Sequence, residues 1–519
     1  MSSMSSYSIG ISGLRNAQSG LSTTGHNMAN SDVNGYSRQG NIQQSFLYRT
    51  YRESKVGLLQ IGLGTDLSEI RQIRNKFFDA EYRDEASTAN YYSAKYMTGQ
   101  EVERIIGELE SSYAAQDVIS NIWEGLNELT IYPDGIETRE SFIATCITFL
   151  NKMNDIQDGL YKYQINLNDQ VKTTVGKIND IVSKIDELNE KIVYYEMNGD
   201  NANDFRDSRN LLIDELSTYL DITVKDNANG RTDILVEGKE LLVNGVSNKI
   251  GLRYSTPGYP FVEPVFAQSE TILPSDADVI SLFGDLHTQD LSGGSSNCGG
   301  LLKGILVSRG DTVGKYNSPD SDVDNFLIPS VQRDFDNLVN GIVNLLNGAF
   351  SSGDTYDLKG GTGVPIFIKK VDSGDYTTTN LQVNPTLVDS TDGYNYLALS
   401  ASGAIGDTTA ILDVMQKWEN GIEGFEDDFG NPYSVNNYYR SIVDNLSNEV
   451  SEADKYYDQH ESLLTSVDNK RQTLSGVSLD EELSYMLKYQ YAFQAASKFI
   501  NVIDSMVDKV VNSMGVVGR

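Results

Sequence analysis

Cysteine and histidine are scarce in this chain of 519 residues: Cys146 and Cys298 are its only thiols, and His26, His287 and His460 its only imidazoles. Two thiols form no disulfide framework, and they read as idle side chains rather than a bridge. Three scattered histidines, with no His-Glu-x-x-His stretch and no cysteine cluster, leave no basis for a zinc site. No run approaches the ~18 apolar residues of a membrane helix. The opening Met1-Ser2-Ser3-Met4-Ser5-Ser6 lacks the basic stretch and apolar core of a secretory signal, so the expectation is a cytosolic protein or one exported without a cleaved signal. Basic charge is also short. Against 73 acidic residues stand 41 basic ones, a net of −32, which disfavours nucleic acid and anionic membrane as partners.

Enzyme signatures fail one by one. Gly310-Asp311-Thr312-Val313-Gly314-Lys315-Tyr316 has its glycines too close together, and no Ser or Thr after the lysine, for a phosphate loop. Asp320-Ser321-Asp322-Val323-Asp324-Asn325 opens like a calcium loop, but its sixth position is Asn and its twelfth is Val331. Gly360-Gly361-Thr362-Gly363 follows no strong strand and opens no helix. No catalytic, cofactor or metal residue emerges, and no cofactor is expected.

What the chain has is apolar periodicity at both ends. Tyr7, Leu14, Leu21 and Met28 recur every seventh residue, with Gly10 and Ala17 beside them. Leu479, Met486, Phe493, Ile500, Val507 and Met514 do the same near the other end, flanked by Tyr489, Ala496, Ile503 and Val510. Such a stripe is the seam of a helix packed lengthwise on other helices. Small residues (Gly10, Gly13, Ala17, Gly20; Ala492, Ala495, Ala496) allow close approach, and Gly- and Ser-containing breaks join each stripe to the rest. Residues 1–60 carry +3 and residues 476–519 carry −1, leaving −34 for the 415 residues between. Near-neutral ends can crowd against copies of themselves, whereas an acidic middle must face water. The ends therefore read as assembly interfaces.

Between the ends the pattern is mainly α with inserted β. Helices are expected over 5–30, from Asn75 to about 130, and over 160–198. In the last of these Val171, Ile178, Ile185 and Ile192 form one heptad column, and Leu167, Ile181, Leu188 and Tyr195 the other, a coiled-coil pattern over four heptads. Short β-type runs begin at Ile222, with Asn229-Gly230 and Asn244-Gly245 as hairpin-type turns. Helix returns at 330–350, a small insertion of strands and loops fills 351–404, and helix runs from about 433 to 474. The expected domains are an N-terminal arm (1–70) that pairs with a C-terminal arm (476–519); a helical, coiled-coil domain (71–220, completed by 300–350 and 405–475); a β-rich insertion (221–299); and a small outer insertion (351–404).

Two motifs carry a resemblance. Gly13-Leu14-x-x-Ala17-Gln18-x-x-Leu21, followed by His26-Asn27-Met28-Ala29-Asn30-x-x-Val33-x-Gly35-Tyr36-Ser37-Arg38-Gln39, resembles the N-terminal signature of the axial flagellar proteins. Val477-Ser478-Leu479-Asp480-Glu481-Glu482-Leu483, followed by Tyr489-Gln490-Tyr491-Ala492-Phe493-x-Ala495-Ala496-x-x-Ile500, resembles their C-terminal one. Met28 stands where Ile is more usual. The long helix and the stretch Arg206–Ser217 resemble the FlgK family, the first hook-associated proteins, over the first 220 and last 90 residues or so. The resemblance implies a non-enzymatic subunit of the bacterial flagellum, forming a ring at the hook–filament junction. Its implied partners are copies of itself, the hook protein, the second junction protein and an export chaperone at the C-terminal helix; its implied route is the flagellar type III channel. The implied interface residues are Tyr7, Leu14, Leu21, Met28, Asn30, Gly35, Tyr36, Leu479, Leu483, Met486, Phe493, Ile500, Ile503 and Val507. The alternatives are the hook protein or second junction protein and, from another class, a secreted coiled-coil scaffold or adhesin.

Overall fold

The computed structural model describes residues 2–513 except 47, 54–56, 108–113, 198, 200, 270, 285, 288–298, 317, 352, 373–376, 389–391, 423–424 and 426–431. Cys298 and Met514 therefore lie outside the described residues.

The chain opens with α1 (Ser2–Ala29), then two hairpin layers: β1 (Gln39–Ser45) pairs antiparallel with β4 (Thr65–Gln72), and between them β2 (Tyr48–Glu53) pairs with β3 (Gly57–Gly62). Next come α2 (Lys76–Ile106), α3 (Ala115–Ile131), α4 (Ile136–Glu196) and α5 (Asn203–Tyr219). Start and stop signals account for the bounds of α2. The Asn75 side chain accepts from the Phe77 amide, and Gly107 ends the helix at φ 81°.

At 61 residues α4 spans about 90 Å. The helix expected at 160–198 is thus the second half of one element that begins after Gly135. Its first heptad column is buried throughout, at Val171, Ile178, Ile185 and Ile192. The second column fails at its end: Leu188 is only half-buried and Tyr195 is exposed. No single long helix lies along α4. Several elements cover it in turn, so its apolar face is a core wall rather than a two-stranded coiled-coil seam.

That wall carries a ladder of amides. Asn168 accepts from the Val262 amide and donates to the Pro260 carbonyl; Asn179 does both with Ile250; Asn189 does both with Thr232. Each side chain supplies a donor and an acceptor to a loop or strand that meets the helix with backbone groups bare. Higher up, Gln164 donates to the Arg309 and Thr312 carbonyls and Gln157 to that of Gln332.

The β insertion docks on this ladder. Strands β5 (Ile222–Asp226), β6 (Thr232–Val236), β7 (Lys239–Val243) and β8 (Val246–Ser247) form an antiparallel meander; β9 (Ile250–Tyr254), β10 (Val262–Phe266) and β11 (Ile280–Ser281) form a second sheet. Asn244-Gly245 turns with both residues at positive φ, as does Glu237-Gly238, which lacks the usual Asn or Asp and was not expected from the sequence.

Then follow α6 (Gly300–Arg309), the turn α7 (Asp320–Val323), α8 (Leu327–Phe350), strand β12 (Phe367–Lys369), strand β13 (Leu381–Val383), the turn α9 (Pro385–Val388), α10 (Thr409–Asn420), α11 (Val435–Ser475) and α12 (Leu479–Asp508). The region 351–404 holds one two-stranded sheet plus short helical turns, so it is less strand-rich than expected. Asp320 and Asp324, the would-be calcium ligands, instead clasp Arg333 at 2.8 and 2.7 Å. The result is mainly α with inserted β.

Candidate assembly interface and its elbow

The two terminal helices meet each other lengthwise and antiparallel. Their register follows from three glycine contacts: a Cβ at Gly10 would lie 2.6 Å from Ile500, at Gly13 3.4 Å from Ala496, and at Gly20 2.5 Å from Tyr489. Small residues on α1 thus let bulky ones on α12 sit directly on the backbone. Ala17 is fully buried there, and on α12 Ile503 is 5% exposed. The seam on α12 that faces α1 runs Glu482, Tyr489, Ala496, Ile503, one heptad apart. The column read from the sequence sits at its edge. Tyr7, Leu14, Leu21, Met28, Met486, Ile500 and Val507 are half-buried, while Leu479, Leu483 and Phe493 are 40–49% exposed.

A second apolar column, absent from the expected interface, lies further round α12. Leu487, Tyr491, Val502 and Met506 are each at least half exposed, and Phe499 and Val510 join them. The column was visible in the sequence as i, i+4 steps from Leu479 through Leu483 and Leu487 to Tyr491.

The turn after α1 is built by polar contacts. Gly35 takes φ 79°, which its lack of Cβ permits, and it packs on Leu211 of α5. The Tyr36 hydroxyl donates to Asn27 at 2.7 Å; burial, with Asp204 and Asp207 nearby, pushes its phenol well above the ordinary range. Asn27 also exchanges both hydrogen bonds with the Gln39 backbone, and the Asn30 side chain turns back to the His26 carbonyl. Asn30 and Tyr36 therefore shape the turn from within.

Arginines then tie arm to body. Arg38 donates its amide to the Ser475 carbonyl (2.8 Å), reaches Glu482 at 2.8 Å and Glu481 at 2.9 Å, and lies 5.5 Å from the centre of the Tyr485 ring. Burial opposes its charge, but the two carboxylates outweigh that and hold it above its ordinary value. Arg471, one turn before the end of α11, reaches Asp214 at 2.7 Å and stacks 3.9 Å over Tyr82. Asp214 is shared with Arg83, also at 2.7 Å. The Ser37 amide donates to Asp207, whose carboxyl burial pushes up despite that bond. The sequence displayed Arg38, Glu481 and Glu482 inside two motifs far apart in the chain, with nothing to pair them; Arg471, Asp214 and Arg83 carried no signal.

Among the described residues no group of three or more His, Cys, Asp or Glu could hold a metal, and no helix is long and apolar enough to cross a membrane. His287 faces Asp311 at 3.0 Å and His460 faces Glu85 at 2.6 Å, each as a pair.

The terminal helices pair antiparallel, and residues 470–514 match the family model described as flagellar basal body rod FlgEFG protein C-terminal. Residues 100–367, just over half of the chain, match the model described as flagellar hook-associated protein FlgK helical domain. The chain belongs to the FlgK family of flagellar hook-associated proteins. It is 29% identical to flagellar hook-associated protein 1 of Bacillus subtilis, an alignment covering 99% of this chain and 100% of that one. It is 20% identical to the protein of the same description from Escherichia coli, covering 97% and 98%. The solved flagellar hook junction protein FlgK of Burkholderia pseudomallei overlaps 57% of this chain and 47% of its own at 19% identity, with a TM-score of 0.43.

Proposed function

We propose that this chain is a non-enzymatic structural subunit of the bacterial flagellum that forms the junction ring between hook and filament. The observation that carries the reading is the apolar column left in water on α12, beside a seam already filled by α1: a second helical partner is needed, and copies of the same arm pair supply one. Family membership supports the junction over the hook protein or the second junction protein, and it weighs against a secreted scaffold or adhesin. The expected neighbours are the hook protein on one side and the second junction protein on the other. Before export through the flagellar type III channel, a chaperone covers the C-terminal helix; an apolar face spaced i, i+4 suits docking in a groove.

The test is a deletion strain viewed by electron microscopy and complemented with variants. Loss of the chain should leave hooks intact and shed filament subunits into the medium. Wild-type chain should restore filaments, and Phe493→Asp, at the edge of both columns, should not. Truncated hooks in the deletion strain, or full filament growth on Phe493→Asp, would contradict the reading.

A further inference from the structure

The joint between arm pair and body is polar almost throughout. Apart from Gly35 on Leu211 and the two arginines over the Tyr82 and Tyr485 rings, the contacts it shows include Gln39 to Asp204, Gln72 to the Asn203 carbonyl, Asn203 to the Ile70 carbonyl, Ser37 to Asp207, and the ion pairs of the two arginine clusters. Polar pairs can be exchanged for water or re-paired after a rotation, whereas an interdigitated apolar contact cannot slide without opening voids. The joint also has a pivot. Between α11 and α12, two helices of 41 and 30 residues, only Gly476, Val477 and Ser478 intervene. The Gly476 amide donates to the Gln472 carbonyl at 2.7 Å, and a Cβ there would lie 2.4 Å from that oxygen. A side chain here would crowd that carbonyl.

Two arginines grip the pivot from opposite sides. Arg471 holds the end of α11 to α2 and α5. Arg38 holds the start of α12, and its amide bond to Ser475 ties the N-terminal connection to the C-terminal one, so both strands of the joint must move together. Glu482 is 2% exposed and its described ion-pair partner is Arg38. A buried carboxylate that loses its cation must be rehydrated, and here that requires α12 to move.

We infer that Gly476 is a latched hinge: the Arg38–Glu482–Glu481 cluster selects one angle between arm pair and body, and its release lets the two terminal helices swing as a unit without separating. This stands on the contacts alone and does not depend on the flagellar reading.

The test uses the full chain carrying Cys146→Ala and Cys298→Ala, with nitroxide labels at exposed positions. One pair, Gln18→Cys with Lys177→Cys, spans arm and body; another, Gln18→Cys with Lys498→Cys, spans α1 and α12. With Arg38 intact, each pair should give a single distance peak. Arg38→Ala should abolish the single arm–body peak while leaving the α1–α12 peak in place, and Arg38→Lys, which keeps the charge but not the fork, should give a partial loss. An arm–body distribution unchanged by Arg38→Ala, or already broad with Arg38 intact, would overturn the latch. Loss of the α1–α12 peak in Arg38→Ala would also overturn it, since the pair would then have come apart rather than swung.

Discussion

Two long helices, α4 and α12, solve the same problem in opposite ways. Both present more apolar and polar surface than a single neighbour can cover. On α4 the first heptad column finds partners within the chain, with Val171, Ile178, Ile185 and Ile192 buried and Asn168, Asn179 and Asn189 each holding backbone on both sides. On α12 Tyr489, Ala496 and Ile500 meet α1 and Glu482 meets Arg38, while Leu487, Tyr491, Val502 and Met506 stay exposed. The difference separates a helix whose apolar column is covered by its own chain from one that leaves an apolar column exposed, which the proposed ring contact would cover.

The sharpest way to break the comparison is to damage the α4 ladder. Asn189 is fully buried and serves the Thr232 amide, the Thr232 carbonyl and Arg209, the last at 2.8 Å. Asn189→Leu strands both Thr232 groups and leaves the Arg209 guanidinium only the Gly230 carbonyl, and should cost roughly 2–4 kcal/mol. Denaturant titration monitored by far-UV dichroism checks this; a loss below about 1 kcal/mol would mean the insertion is not anchored there.

Next comes the arm seam. Gly20→Val pushes a branched side chain into Tyr489 and should cost about 1–3 kcal/mol locally. It should release the arm pair to protease while the main unfolding transition of the body stays in place. A shift of that main transition would show that arm and body unfold as one unit.

A smaller effect is pH-dependent and belongs to the body. Burial, with Asp84 and Glu237 nearby, lifts the Asp221 carboxyl to about 6. The unfolded chain ionises near 3.9, so this group's stabilisation is present below that value and is lost as pH rises through 6. Asp221→Asn should raise stability at pH 7 by about 1 kcal/mol, allowing for partial exposure to solvent, and should change little at pH 4. Equal gains at both pH values would contradict the assignment.

Much of this was legible in the sequence, and the gaps have physical causes. Heptad spacing marks both terminal helices and the buried column of α4, because a long amphipathic helix repeats its message. Tyr489 and Ala496, which flank the heptad column in the sequence, meet α1 together with Ile500 of that column; Glu482 is a poor hydrophobic signal, although beside Arg38 it is the residue that fits. Helix α6 left no trace of period, since it is buried on all sides, Lys303 and Arg309 included. The columns of α4 show a coiled-coil pattern, which for 160–198 reads as the stripe of an ordinary core. Only the amides between those columns show that strands and loops cover it. The ion pairs of the elbow could not be read, because they join residues 131 to 444 positions apart.

The central claim is that the body is complete in one chain and the arm pair is not. Amide hydrogen exchange on the free monomer tests it most directly. The account predicts slow exchange across the buried segments of α4 and α8, and exchange in α1 and α12 faster by orders of magnitude that slows once the chain assembles. Protection in α1 and α12 of the free monomer equal to that in α4 would contradict it.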